Sequence, residues 1–319
     1  MINPTKLFML FITCLPLCFN AVADEEQSTT SSLATKIQIT RDKCSGISDS
    51  MSDMKRLAGI NTAVTGVGTV TGGVALASGA IKNKMDTLID PIEQELQDMI
   101  NKQETKHIYV KVDASELGAT ETLDFSIDVD QAYTTYQSTS KKLGDIRTGT
   151  LATSAITDTA GTIIATKNHI NDDLQQRIND CIAAINDLHN TRLRARTENT
   201  AAPSELAQSE VIERMCFDWK NVDLSVINKR GTGAAISSGA GAAMAVAGTI
   251  TSASANSNSV RTNNTPEGKD KEKNLNTASN ILAGGTTVAS GVATIFNATQ
   301  ISAIKKIVAV ADKCEEALK

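Results

Sequence analysis

Four stretches rich in small residues, at 57–81, 148–166, 231–256 and 277–303, constrain this chain more than any other feature. Each mixes Gly, Ala, Ser and Thr with aliphatic residues, and the first, LAGINTAVTGVGTVTGGVALASGAI, carries no charge. Their order relative to the cysteines is regular. Gly59 and Gly231 follow Cys44 and Cys216 by 15 positions, whereas Gly161 and Gly291 precede Cys181 and Cys314 by 20 and 23. Cysteine-then-glycine thus alternates with glycine-then-cysteine, twice, as an internal duplication would. If each stretch is a helix, the first two form one antiparallel hairpin and the last two another, with the cysteines at the open ends.

Intrinsic propensity argues against helices here. Six glycines between 57 and 81, at roughly 1 kcal/mol each relative to Ala, would melt an isolated helix in water. Periodicity argues for them. Gly59, Gly66, Gly73 and Ala80 recur every seventh position, as do Gly284, Gly291 and Ala298, with Ile281, Val288 and Ile295 beside them. A heptad of glycines makes a groove that gains stability when a partner backbone lies close in it, the glycine-zipper geometry of coiled-coil-like pairs. The flanks are more conventional. Ile37, Cys44, Ile47, Met51 and Met54 form an amphipathic stripe, as do Ile163, Ile170, Leu174, Ile178, Ile182, Ile185 and Leu188. Ile212, Met215, Trp219, Val222 and Val226 form a third, which makes the single Trp a core anchor, and Ile301, Ile304, Val308 and Ala311 a fourth.

The expected fold is therefore mainly α: two long antiparallel hairpins forming a bundle, the first at 24–200 and the second at 201–319. The first carries a small α+β insertion at about 86–142. Asp90-Pro91-Ile92-Glu93 reads as an N-cap, a Pro at the first helical position and a capping-box Glu. Ile108, Val110 and Val112, then Leu123, Phe125, Ile127 and Val129, alternate as strands do.

Residues 1–23 read as a signal peptide, with Lys6, an apolar run from Leu7 to Phe19, and Ala21-Val22-Ala23 as the cleavage site. The expected destination is the periplasm, the cell surface or the exterior. Cleavage leaves Cys44, Cys181, Cys216 and Cys314, an even number outside any CxxC motif, which reads as structural disulfides. Four cysteines allow three connectivities; the hairpin layout favours Cys44 with Cys181 and Cys216 with Cys314.

Chemistry-bearing constellations are sparse. Asp124, Asp128 and Asp130 would share one strand face, and His169 would share a helix face with Asp172 and Asp173, but neither set has the partners of a metal or acid–base site. His107 and His189 are isolated. Arg192, Arg194 and Arg196 read as an exposed linker reaching Pro203. No GxGxxG, GxSxG or HExxH motif occurs. No catalytic, cofactor or metal site is expected, and the net charge of −5 argues against a nucleic-acid partner. The expected function is that of an exported, disulfide-stabilised structural or interaction module, with a protein partner or self-association. The alternative is a membrane-inserting glycine-zipper hairpin protein of the cell envelope. Uncharged lengths of about 20–25 residues suffice to span a bilayer, whereas Asp158 and abundant Thr and Ser count against it.

Overall fold

The computed structural model describes residues 32–102, 107–113, 122–261 and 265–319, with backbone alone over 90–130 and at 132. The signal-peptide segment lies outside the described residues. The protein is mainly α. Its elements run α1 (Leu33–Cys44), α2 (Ile47–Lys102), β1 (His107–Asp113), β2 (Thr122–Asp128), α3 (Val129–Lys167), α4 (Asp172–Glu198), α5 (Pro203–Cys216), α6 (Ser225–Ala255), α7 (Asn258–Arg261) and α8 (Pro266–Leu318). A 3-10 turn at Phe217–Asn221 follows α5.

The long helices α2, α3, α6 and α8 form a four-helix stalk. Within it α2 packs on α3 and α8, and α6 packs on α3 and α8, so α3 and α8 face each other across the axis. The two hairpins, α2 with α3 and α6 with α8, thus share one bundle. At their open end sits a head made of α1, α4, α5 and the adjoining ends of α2 and α8. The largest apolar core lies there, around Ile37, Ile47, Met51, Ile178, Ile185, Leu188, Ile212, Trp219 and Ile304. Head helices are thus amphipathic in the ordinary sense, and their burial drives ordinary folding.

Both disulfides are in the head. Cys44 joins Cys181 and Cys216 joins Cys314, the pairing that the hairpin layout favours. They tie α1 to α4 and α5 to the head end of α8.

Several expectations need correction. The stripe from Ile163 to Leu188 is not one helix: α3 ends at Lys167, and Asn171 caps α4 by accepting from Leu174 N at 2.8 Å. The gap is held by α6, where Asn228 accepts from Ile170 N at 2.8 Å and donates to Ile170 O at 3.3 Å. The first stripe is likewise split, at Gly46, whose φ of 70° is left-handed and suits a residue without Cβ. Trp219 is buried as expected of a core anchor, but on the 3-10 turn.

The insertion does not form the separate α+β unit expected. Asp90-Pro91 opens no helix, because α2 runs through it to Lys102. An established helix has already met the nucleation cost that a capping signature exists to lower, so the chain passes through the signature. Beyond it, β1 and β2 form a two-stranded antiparallel ribbon, Val110 opposite Phe125, leading directly into α3.

The heptad of glycines also points the other way. Around Gly59, Gly66 and Gly73 an added Cβ would meet nothing within 4 Å, so this row faces outward. Glycines off the heptad make the close contacts. A Cβ at Gly72 would lie 2.9 Å from Thr287 Oγ1, one at Gly144 2.7 Å from Asn256 Oδ1, and one at Gly231 2.9 Å from Gln300 Nε2. Ile281, Val288 and Ile295, the aliphatic companions of the second heptad, are 64–70% exposed.

Candidate functional site

Polar groups occupy the stalk interior, and they come in layers. Nearest the head, Gln300 Nε2 donates to Asn168 O at 2.9 Å and to Ile227 O at 3.2 Å, joining α8 to α3 and α6. Next, Asn61 Nδ2 donates to Asn297 Oδ1 at 2.9 Å, and Thr294 Oγ1 donates to Thr65 Oγ1 at 3.1 Å. Asp158 follows, with Oδ2 2.7 Å from Ser290 Oγ across the axis. About one turn further from the head Thr71 and Ser154 join α2 to α3 through hydroxyls 2.6 Å apart. A thin apolar layer of Ala75, Leu151 and Ala283 comes after it.

On the far side of that layer is Arg147, fully buried. Its Nε donates to Ser252 Oγ at 2.9 Å, and its terminal nitrogens donate to Asn280 Oδ1 at 3.1 Å and Asn276 Oδ1 at 2.6 Å. A guanidinium suits this place because its planar fork serves several acceptors at fixed angles. The last layer is ionic: buried Lys82 bonds Asp86 at 2.6 Å and Glu272 at 3.0 Å, and Tyr136 donates to Asp86 at 2.9 Å. Small residues make this interior possible. A Cβ at Gly68 would run into Asp158 Oδ1, and one at Gly241 would lie 2.8 Å from Oδ2.

The outer surface is the converse. Between residues 57 and 81 the exposed positions of α2 are Ile60, Ala63, Val67, Val70, Val74, Leu76, Ala77, Ala80 and Ile81, all apolar. The exposed positions of α6 over the same height are Thr232, Ile236, Ala240, Ala243, Val246 and Ile250. Ile156, Ile236, Ile250, Ile281 and Ile295 are each 62–71% exposed. On α3 the outward positions alternate isoleucine with threonine, but the threonine hydroxyls are spent on the helix itself. Thr153 donates to Gly149 O at 3.0 Å, Thr159 to Ala155 O at 2.7 Å and Thr166 to Ile163 O at 2.9 Å. Such back-bonding leaves a methyl group outward and no donor in need of water.

Charges bound this apolar zone at both ends. Lys55, Arg56, Lys167, Lys229, Arg230, Lys305 and Lys306 lie at the head side, and Lys84, Lys141, Lys142, Lys271 and Lys273 at the other. Of the charged residues between these levels, Lys82, Arg147 and Asp158 point inward and are fully buried, while Asp145, three positions inside Lys142, is exposed and accepts from Asn256 Nδ2.

The residues singled out by sequence for chemistry are not brought together. Asp124 and Asp128 lie in β2, opposite Lys111 and His107, but Asp130 is already in α3, so the three share no strand face. His169 sits in the break before α4 and shares no helix face with Asp172 and Asp173. His189 Nδ1 lies 2.5 Å from Glu213 Oε1, and Arg192 meets the same carboxylate at 2.7 Å; with Arg194 and Arg196 it belongs to α4 rather than to a linker. Among the described residues no group of three or more His, Cys, Asp or Glu is placed to hold a metal. Sequence reasoning missed the polar axis. Its signal was present as Asn, Ser, Thr and Gln recurring at helical spacing, hidden because apolar residues recur at the same period. Compared with known proteins, the chain matches no family model, no curated sequence and no solved structure.

Proposed function

We propose that this is an exported protein whose four-helix stalk spans a lipid bilayer, with its disulfide-bonded head on the oxidising side and no catalytic role. One observation carries the reading: the stalk has a polar interior and an apolar exterior, the reverse of what water selects. In water the hydrophobic effect buries aliphatics and leaves polar groups outside. In hydrocarbon the ordering inverts, because every polar group needs an internal partner and apolar side chains gain nothing by hiding. Helices then associate through small residues and interhelical hydrogen bonds, which is the chemistry of this stalk.

The dimensions agree. Among the described residues three segments, within Leu33–Ile89, Ser225–Ala255 and Pro266–Leu318, are long and apolar enough to cross a bilayer by length and composition, and the threonine-rich α3 packs against them. The uncharged 25 residues at 57–81 rise about 37 Å as a helix, against about 30 Å of hydrocarbon. Bands of Lys and Arg at both ends suit headgroup levels, where long basic side chains reach water. On this reading glycine serves close helix packing at the positions named above rather than as a heptad zipper. The disulfides support an oxidising compartment and hence export through the N-terminal signal segment.

Alkaline carbonate washing of membranes from cells making the full chain tests this. Retention in the pellet is the expected result; release into the supernatant would return the protein to the soluble interaction module.

A further inference from the structure

We propose that the Asp158 carboxyl is a proton-binding site at mid-height of the stalk, holding its hydrogen and donating it to Ser290. Donor counting comes first. Ser290 Oγ lies 2.7 Å from Asp158 Oδ2 and 2.8 Å from Thr286 O. A serine hydroxyl has one hydrogen. If Asp158 is ionised, the carboxylate and the carbonyl must share it in a weaker three-centre bond. If Asp158 is protonated, its O–H donates to Ser290, and Ser290 donates to Thr286 O. Each contact then has a hydrogen of its own.

The rest of the carboxyl points the same way. Asp158 is 0% exposed, and its other oxygen, Oδ1, has no hydrogen-bond partner. A buried carboxylate with at most one hydrogen bond is far costlier than a neutral carboxyl whose carbonyl oxygen goes unpaired. No cation is near enough to offset it. From α2 the group faces Gly68, from α6 Gly241 and from α8 Ser290. None of these three helices carries a charge between Arg56 and Lys82, Arg230 and Arg261, or Lys273 and Lys305. On α3 itself the nearest charges are Lys167 and Arg147, nine and eleven positions away, or about 14 and 16 Å along the helix. Position 158 is also close to the middle of the uncharged outer face, as Gly68, Gly241 and Ser290 are on their own helices.

Assembly of the stalk is then coupled to uptake of one proton. The coupling does not require a bilayer, since the donor count holds in any solvent; lipid only raises the cost of ionisation. The test is infrared spectroscopy of the purified full chain. At neutral pH the wild type should show a protonated carboxyl C=O stretch that is missing from Asp158→Asn and that disappears on titration to higher pH. Ser290→Ala, which removes the acceptor, should shift this band to higher frequency. A wild-type minus Asp158→Asn difference spectrum containing only carboxylate stretches at neutral pH would overturn the proposal, as would a Ser290→Ala spectrum with no shifted carboxyl band. Stability gives a second readout. The native state binds the extra proton, so the melting temperature of the wild type, and not of Asp158→Asn, should fall as pH rises through the titration of this carboxyl. The carbonate wash is independent: a soluble protein showing the carboxyl band would keep this inference and lose the bilayer.

Discussion

Gly66 and Gly68 stand two positions apart on α2 and meet opposite surroundings. Nothing approaches a Cβ at 66, whereas one at 68 collides with Asp158 and lies 3.2 Å from Thr157 Oγ1. Gly66→Ala should therefore stabilise the protein by about 0.5–1 kcal/mol through helix propensity alone. Gly68→Ala should destabilise it by about 1–3 kcal/mol through overpacking. Denaturant unfolding followed by circular dichroism measures both, and equal effects at the two sites would contradict the orientation of α2. Arg147 shows the same dependence on geometry. Lysine keeps the charge but cannot reach Ser252, Asn276 and Asn280 together, so Arg147→Lys should cost on the order of 1–3 kcal/mol in the same experiment, for the buried acceptors left unpaired.

Among the elements, the head helices stop where local chemistry stops them and the stalk helices do not. Gly46, Asn171 and the left-handed Asn199, with a φ of 58°, end or begin helices as turn and cap residues ordinarily do. α8 runs unbroken from its Thr265 cap and Pro266 to Leu318, linking stalk and head. Because the disulfides close loops of 137 and 98 residues, restraint of the unfolded chain is large. Replacing either pair by serine should cost about 2–5 kcal/mol, read as a lower unfolding midpoint. Non-reducing peptide mapping should recover Cys44 with Cys181 and Cys216 with Cys314; a crossed linkage would contradict the head described above. The Asp90-Pro91 signature misled because it is local, and only the preceding turns of α2 decide whether a helix starts there or continues.

For the whole molecule, the decisive question is what solvent surrounds the stalk. Val288, 67% exposed on α8 beside Ser290, separates the possibilities. In water Val288→Lys changes stability by within about 0.5 kcal/mol. At the centre of a bilayer-spanning helix a lysine costs about 2.5–3.5 kcal/mol. The expected outcome is reduced membrane retention and lower accumulation of Val288→Lys, with Lys306→Ala, at the edge of the zone, unaffected. Equal behaviour of the two variants would count against lipid as the surroundings.

The residues alone determined that small-residue segments pair as antiparallel hairpins, because the alternating order of cysteine and glycine admits that layout, and that the flanking stripes of Ile, Leu and Met form a core. Period, however, carries no sign. A heptad shows that Gly59, Gly66 and Gly73 share a face, and is silent on whether that face meets a helix or the solvent. Only tertiary packing chose, by bringing Asn61 to Asn297, Asp158 to Ser290 and Arg147 to Asn276 across the axis. Once those polar groups were paired across the axis, the aliphatic rows had nowhere to go but out.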